Sequence, residues 1–223
     1  MGGYPSTGER MTFNLKNNGK SPRLGKYLIP ESVKNKIAVN LGSNHCQFEI
    51  AHASKFEKIF FFEACYNNFL KGVARVYGRG LKNCFGFNLA ASNKTGELLK
   101  IYSHSSGDCG SNTTIAHDGV NKEDYHYVMS ISLEDILKLI GVERINYLKI
   151  DIEGGEFSVL MEADLSKIDC VAIEIHSLLG EEKMTMIRNK LLETHEMKYQ
   201  KPAIPNICNE ESYFELRKQE KNV

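Results

Sequence analysis

Residues 148 to 156 read Leu-Lys-Ile-Asp-Ile-Glu-Gly-Gly-Glu, so the carboxylates of Asp151, Glu153 and Glu156 crowd the end of an apolar run. Like charges this close raise one another's proton affinity, which folding alone does not require and functional sites commonly show. The competing explanation is an acidic, solvated turn. Further along, Val171-Ala-Ile-Glu-Ile-His ends a second apolar run. Side chains alternate along a strand, so Glu174 and His176 share a face. If the two runs are neighbouring strands, His176 sits beside Asp151. An unperturbed imidazole suits general acid–base work near neutral pH, with Asp151 as rival proton acceptor or as the group that orients the ring. A lone histidine at a strand end is equally an ordinary structural residue.

A second group of residues points to a ligand. The apolar run Ile37 to Leu41 leads into Gly42-Ser43-Asn44-His45-Cys46. Only the first glycine of a dinucleotide fingerprint is present; those that admit a pyrophosphate and pack helix on strand are missing, which weighs against NAD or FAD. A ligand without phosphates needs only the tight turn and free N–H groups at the following helix start, which can receive a carboxylate. Glu63 follows Ile-Phe-Phe-Phe, about 20 residues beyond Gly42, where a carboxylate is placed to accept the hydroxyls of a ribose. Each has a plain alternative, a simple strand-to-helix turn and an exposed sheet edge. Together they favour a nucleoside ligand.

The elements that must position these residues alternate in type. Strands are expected at Ile37–Leu41, Lys58–Glu63, Phe85–Ala91, Ile145–Ile152 and Cys170–Ile175, with two more between Met197 and Leu216. Helices are expected over His45–Ser54, Asn67–Val76, from near Gly155, and over Glu181–Thr194. Ser132-Leu-Glu-Asp135 has capping-box spacing before the apolar stripe Leu133, Ile136, Leu137 and Ile140, and Gly141 is placed to end that helix. Alternating strands and helices imply an α/β, Rossmann-like domain: a mostly parallel central sheet with helices on both faces, binding ligands at the carboxyl ends of its strands. Residues 36–223 are assigned to this domain and 1–35 to an N-terminal tail or cap. The polar stretch Ser103 to His126 reads as a long lid or binding loop.

Composition narrows the class. The 223 residues suffice for one domain with a real core, and 28 basic residues balance 28 acidic ones. That balance gives no global field to attract nucleic acid or an anionic membrane. Met1 to Arg10 lacks the apolar stretch of a secretory signal, and no run is long enough to span a bilayer. The six cysteines form no C-x-x-C pair, against structural zinc or a redox pair. A cytoplasmic protein is the expectation; oligomeric state is left open.

Taken together, Ser130-Ile-Ser-Leu-Glu-Asp-Ile-Leu, Tyr147-Leu-Lys-Ile-Asp-Ile-Glu-Gly-Gly-Glu-Phe and Val171-Ala-Ile-Glu-Ile-His resemble the signature of FkbM-type methyltransferases. The Gly42–Asn44 turn, Phe62-Glu63 and Asn88-Leu-Ala-Ala-Ser92 resemble that family's cofactor half more loosely. The resemblance implies a class I methyltransferase fold and S-adenosylmethionine as cofactor. It places Asn40, Gly42, Ser43, Asn44, Glu63, Ala64, Ala90, Ala91, Asp151 and Glu153 around the cofactor, and His176 and Asp151 at the chemistry. The implied acceptor is a hydroxyl of a sugar or natural-product scaffold. The chain departs from the family pattern at Asn40, commonly acidic; at Ala64, commonly proline; and at Cys46, commonly a second glycine. Cys46 is therefore expected to intrude where backbone passes close to the ligand. A metal-assisted variant stays open, with Asp151 and Glu174 as hard ligands for Mg²⁺ or Ca²⁺, though no metal ligand is assigned. The rival functions are a non-catalytic nucleoside-binding module, a nucleotide-dependent oxidoreductase and an RNA methyltransferase.

Overall fold

The computed structural model describes residues 27–104, 112–201, 203 and 209–217. Seven strands form one sheet: β1 (Ile37–Leu41), β2 (Lys58–Phe62), β3 (Cys84–Phe87), β7 (Tyr147–Ile150), β8 (Cys170–Ile175), β9 (His195–Lys201) and β10 (Glu210–Leu216). Their order is β3-β2-β1-β7-β8-β10-β9, parallel from β3 through β8, with β10 antiparallel to both its neighbours. The strand order switches between β1 and β7, which run parallel, and this switch point is the crevice where ligands bind in open α/β sheets. Leu41 pairs with Phe62 and Ile150, and Ile150 pairs with Ile173, so β1, β2 and β7 end level with one another while β8 runs on to Ile175. Gly42, Glu63, Asp151 and Glu174 therefore emerge along one rim.

Strand alternation sorts the side chains into two cores. Val39, Leu41, Leu148, Ile150, Val171 and Ile173 pack against α3 (Leu133–Ile140), α4 (Glu156–Met161) and α5 (Gly180–Thr194). Ala38, Tyr147 and Ala172 face the other way, toward Phe48 of α1 (Gln47–His52) and Val33. Asn40, Lys149 and Glu174 share this second parity, so a polar strip runs up the α1 side of the sheet to the rim. α2 (Tyr66–Gly78) follows β2. The cap at Ser132 forms as its spacing predicts: the hydroxyl accepts from Asp135 N, and Gly141 at φ 70° ends the helix. Leu133, Ile136 and Leu137 are buried beneath it.

Three expectations are refined. Phe85–Ala91 is not one strand: β3 stops at Phe87, and β4 (Ala90–Ala91) pairs in parallel with a different partner, β6 (Val120–Ile131). β6 in turn pairs antiparallel with β5 (Leu98–His104), so both ends of Ser103–His126 are strand while 112–119 stay irregular, with Asn112 and Thr114 lining the rim cleft; 105–111 lie outside the described residues. The hairpin buries Ile101 and Val128 on one face while Leu98, Tyr127 and Met129 stand exposed on the other. Large side chains on its wet face and charged residues along its length obscure the period-two signal. α1 is also shorter than expected, giving way to a 3₁₀ turn at Ala53–Lys55. The two tail strands form, as β9 and β10. Among the described residues no helix is long and apolar enough to cross a membrane.

Candidate active site

A cleft of about 340 Å³ opens at the rim, with Gly42, Asn44, Glu63, Asp151, Glu153 and Glu174 among its walls. Its geometry begins at Gly42. With φ at +78°, a Cβ there would lie 1.8 Å from the Asp151 carbonyl oxygen, so only glycine lets the β1 turn lie on the end of β7. The amides of Gly42 and Ser43 donate to Phe62 O at 3.0 and 3.2 Å. Asn44 N donates to Glu63 Oε2 at 2.7 Å, and Cys65 N to Oε1 at 2.9 Å. The amides of Gly42, Ser43 and Asn44 are thus engaged within the fold, and that of Asn44, with Cys65 N, fixes Glu63.

Glu63 is 8% exposed and lines the cleft. Burial pushes its carboxyl up; the bonds from Cys65 N and Asn44 N and the charge of Lys149 pull against that. Each oxygen accepts one backbone N–H and retains further lone-pair capacity. Ala64, Ala90 and Ala91 also line the cleft, with Leu89 and Ile101 adding apolar wall. The hairpin closes one side: His126 Nε2 lies 3.3 Å from Ala64 O, and Thr113 bonds the Glu153 carbonyl.

Three sequence-predicted residues lie elsewhere. Asn40 is fully buried beneath the turn, its Nδ2 donating to Glu49 Oε1 at 2.7 Å, and does not line the cleft. Ser43 lines a neighbouring cavity of about 240 Å³, which shares Gly42, Asn44 and Asp151 with the cleft. Cys46 does not intrude on the ligand space. Its sulfur packs where a Cβ on Gly72 of α2 would come within 2.6 Å, so the glycine absent from position 46 is matched by one at 72.

The acid cluster and His176 do meet. The ring is 3% exposed, with Nδ1 2.6 Å from Glu156 Oε1 and Nε2 3.1 Å from Glu153 Oε2 and 3.8 Å from Asp151 Oδ1. Burial alone would lower its pKa, but hydrogen bonds and charge from Glu153 and Glu156 outweigh it and raise the pKa to about 10. An imidazole that already holds a proton at neutral pH cannot take one from an acceptor, and His176 is not among the cleft's lining residues. Its geometry is that of a ring held among carboxylates, which favours the protonated form. Ligand atoms of Asp151, Glu153 and His176 lie within 4.8 Å of one another, a spacing able to hold a metal ion. Glu174 stands outside that group, its Oε1 accepting from Asn209.

Sequence reasoning missed Tyr27, Glu49 and Lys149. Tyr27 donates to Asp151 Oδ2 at 2.7 Å across 124 residues, and no local pattern signals such a contact. Lys149 sits inside an apolar strand and reads as part of it. Its place two residues before Asp151, on the same face, was the one local signal.

A family profile described as "Methyltransferase FkbM domain" matches residues 32–201. The chain belongs to the FkbM methyltransferase family. Solved structures agree on the class I methyltransferase fold. The methyltransferase FkbM of Methylobacillus flagellatus superposes with a TM-score of 0.53 at 17% identity, over 81% of this chain and 43% of that one. The chain thus spans less than half the length of that relative. An rRNA methylase of Streptococcus thermophilus gives 0.51 at 11% identity, over 84% of this chain and 92% of that one. TrmK of M. capricolum, in complex with S-adenosyl-homocysteine, gives 0.50 at 12% identity, over 86% and 68%. A search of curated protein sequences gives no match.

Proposed function

We propose that the rim cleft binds S-adenosylmethionine and that the chain methylates a hydroxyl on a small-molecule or glycan acceptor. The observation that carries this reading is the convergence of Gly42, Glu63 and Asp151 on one cleft, with both Glu63 oxygens pinned by backbone amides and lone pairs to spare. Those acceptor oxygens fit the hydroxyls of a ribose, and the wall of Leu89, Ala90 and Ile101 fits an apolar purine face. When bound, the cofactor supplies an electrophilic methyl group that passes to an acceptor oxygen as its sulfonium becomes a neutral thioether. Asp151 receives the hydroxyl proton; its side chain is 23% exposed and lines the cleft. His176, held by Glu156 and Glu153, keeps a positive charge beside Asp151 and orients it.

Among the described residues, the cleft's lining includes four carboxylates, Glu63, Asp151, Glu153 and Glu174, and no lysine, arginine or histidine. Such a wall repels phosphate, which favours an uncharged hydroxylic acceptor over nucleic acid. Of the three positions that depart from the family pattern, Ala64 lines the cleft while Asn40 and Cys46, the two that favoured a non-catalytic module, pack away from it. The test is transfer of labelled methyl from S-adenosylmethionine to a panel of neutral sugars and polyols, with RNA as comparison. Label on the neutral hydroxyls supports the reading. Label on RNA alone, or binding without transfer to any acceptor class, contradicts it.

A further inference from the structure

Lys149 is the one charged residue of β7, and it is 4% exposed between Leu148 and Ile150, which are fully buried. Burying an ammonium costs several kcal/mol unless it is paired, and an apolar side chain would serve the fold better. Its partners belong to the site instead. Nζ donates to Gly42 O at 3.0 Å, lies 3.6 Å from Asp151 Oδ2, and sits 5.1 Å from the centre of the Tyr27 ring. One ammonium therefore bridges the turn after β1 to the acid after β7, the two strands that flank the crevice.

We propose that Lys149 is a positioning residue for the nucleoside site: a buried cation that ties to Asp151 the Gly42 turn, whose Asn44 amide holds Glu63. The proposal rests on the reading of the cleft as an adenosyl site. Glu63 faces Glu49 of α1, whose charge opposes its ionisation, the amides of Asn44 and Cys65, and Lys149. Lys149 itself faces Asp151 on its own strand, Tyr27 from the N-terminal segment, and Glu49 of α1. His52 of α1 borders the same small cavity, where burial, then the Lys55 charge, lowers its pKa to about 4 and leaves it neutral. Lys149 is thus the cation that draws both Glu49 and Glu63 toward the ionised form.

The role separates from plain packing through pH. Without the ammonium, Glu63 takes up a proton at higher pH, and a protonated carboxyl grips a ribose less well. Affinity in the variant must then be highest at alkaline pH and fall as pH drops. The experiment is calorimetric titration of the full chain with S-adenosylhomocysteine, for the parent, Lys149→Met and Lys149→Arg. As pH falls from about 8 to about 6, Lys149→Met should lose affinity by a larger factor than the parent. Lys149→Arg keeps the charge and should follow the parent. If Lys149→Met does not fold, Lys149→Gln keeps a donor for the Gly42 carbonyl, drops the charge, and should show the same pH dependence. A variant that binds like the parent at every pH, or is weakened by one constant factor, overturns the proposal. A parent that binds no S-adenosylhomocysteine overturns the underlying reading of the cleft instead.

Discussion

Deprotonating His176 should destabilise the folded chain, by an amount the geometry bounds. The ring is held at Nδ1 by fully buried Glu156 and at Nε2 by Glu153, 25% exposed at its side chain. Its pKa rises from an ordinary 6.5 to about 10. At about 1.4 kcal/mol per pH unit that difference is at most about 5 kcal/mol, and solvent around Glu153 screens it to about 2–4 kcal/mol. Because folding raises the pKa, the contribution is complete below about pH 6.5 and is lost as pH climbs through about 10. Urea unfolding of the parent and His176→Gln at several pH values in that window measures it. Comparing the two proteins cancels titrations they share. The parent's advantage over the variant should shrink steadily as pH rises. Parallel stability profiles, or an imidazole seen by NMR to titrate near 6.5, would refute the argument and return His176 to candidacy as the base.

Gly42→Ala should cost more than about 2 kcal/mol, read from thermal unfolding, since the added Cβ meets the Asp151 carbonyl at 1.8 Å and the backbone holds a φ of +78°. Asp151→Asn should lower turnover by about 10²-fold or more while changing S-adenosylhomocysteine affinity far less; equal losses in both would make Asp151 a cofactor ligand alone. Glu63→Gln should weaken S-adenosylhomocysteine by about tenfold to a hundredfold, because charge-assisted hydrogen bonds to both oxygens are lost. Unchanged affinity by calorimetry would remove Glu63 from the ribose.

The alternation of strands and helices and the residues at strand ends were legible in the sequence. Gly42, Glu63 and Asp151 were found because buried parallel strands announce themselves as apolar runs, and the residues after them share a rim once the strands align. His176 was placed beside Asp151 by alternation alone, and β7 and β8 are indeed neighbours. Its charge state was not legible. It depends on Glu156, whose carboxylate α4 turns inward to full burial, while the sequence shows only one acid among three. Lys149 was hidden for the opposite reason, a charge inside a strand whose other residues are apolar. Asn40 and Cys46 looked like defects because their compensating partners, Glu49 and Gly72, come from helices. The β5–β6 hairpin escaped because burial on one face only, with tyrosines on the wet face, leaves too little contrast to read.

The central claim is that Glu63 and the Gly42 turn hold an adenosyl group at this rim. Calorimetric titration of the full chain with S-adenosylhomocysteine at neutral pH, beside Glu63→Ala, addresses it most directly. Saturable one-to-one binding by the parent, lost or strongly weakened in a folded Glu63→Ala protein, is the predicted result. No heat from the parent, or equal affinity in both proteins, would contradict it.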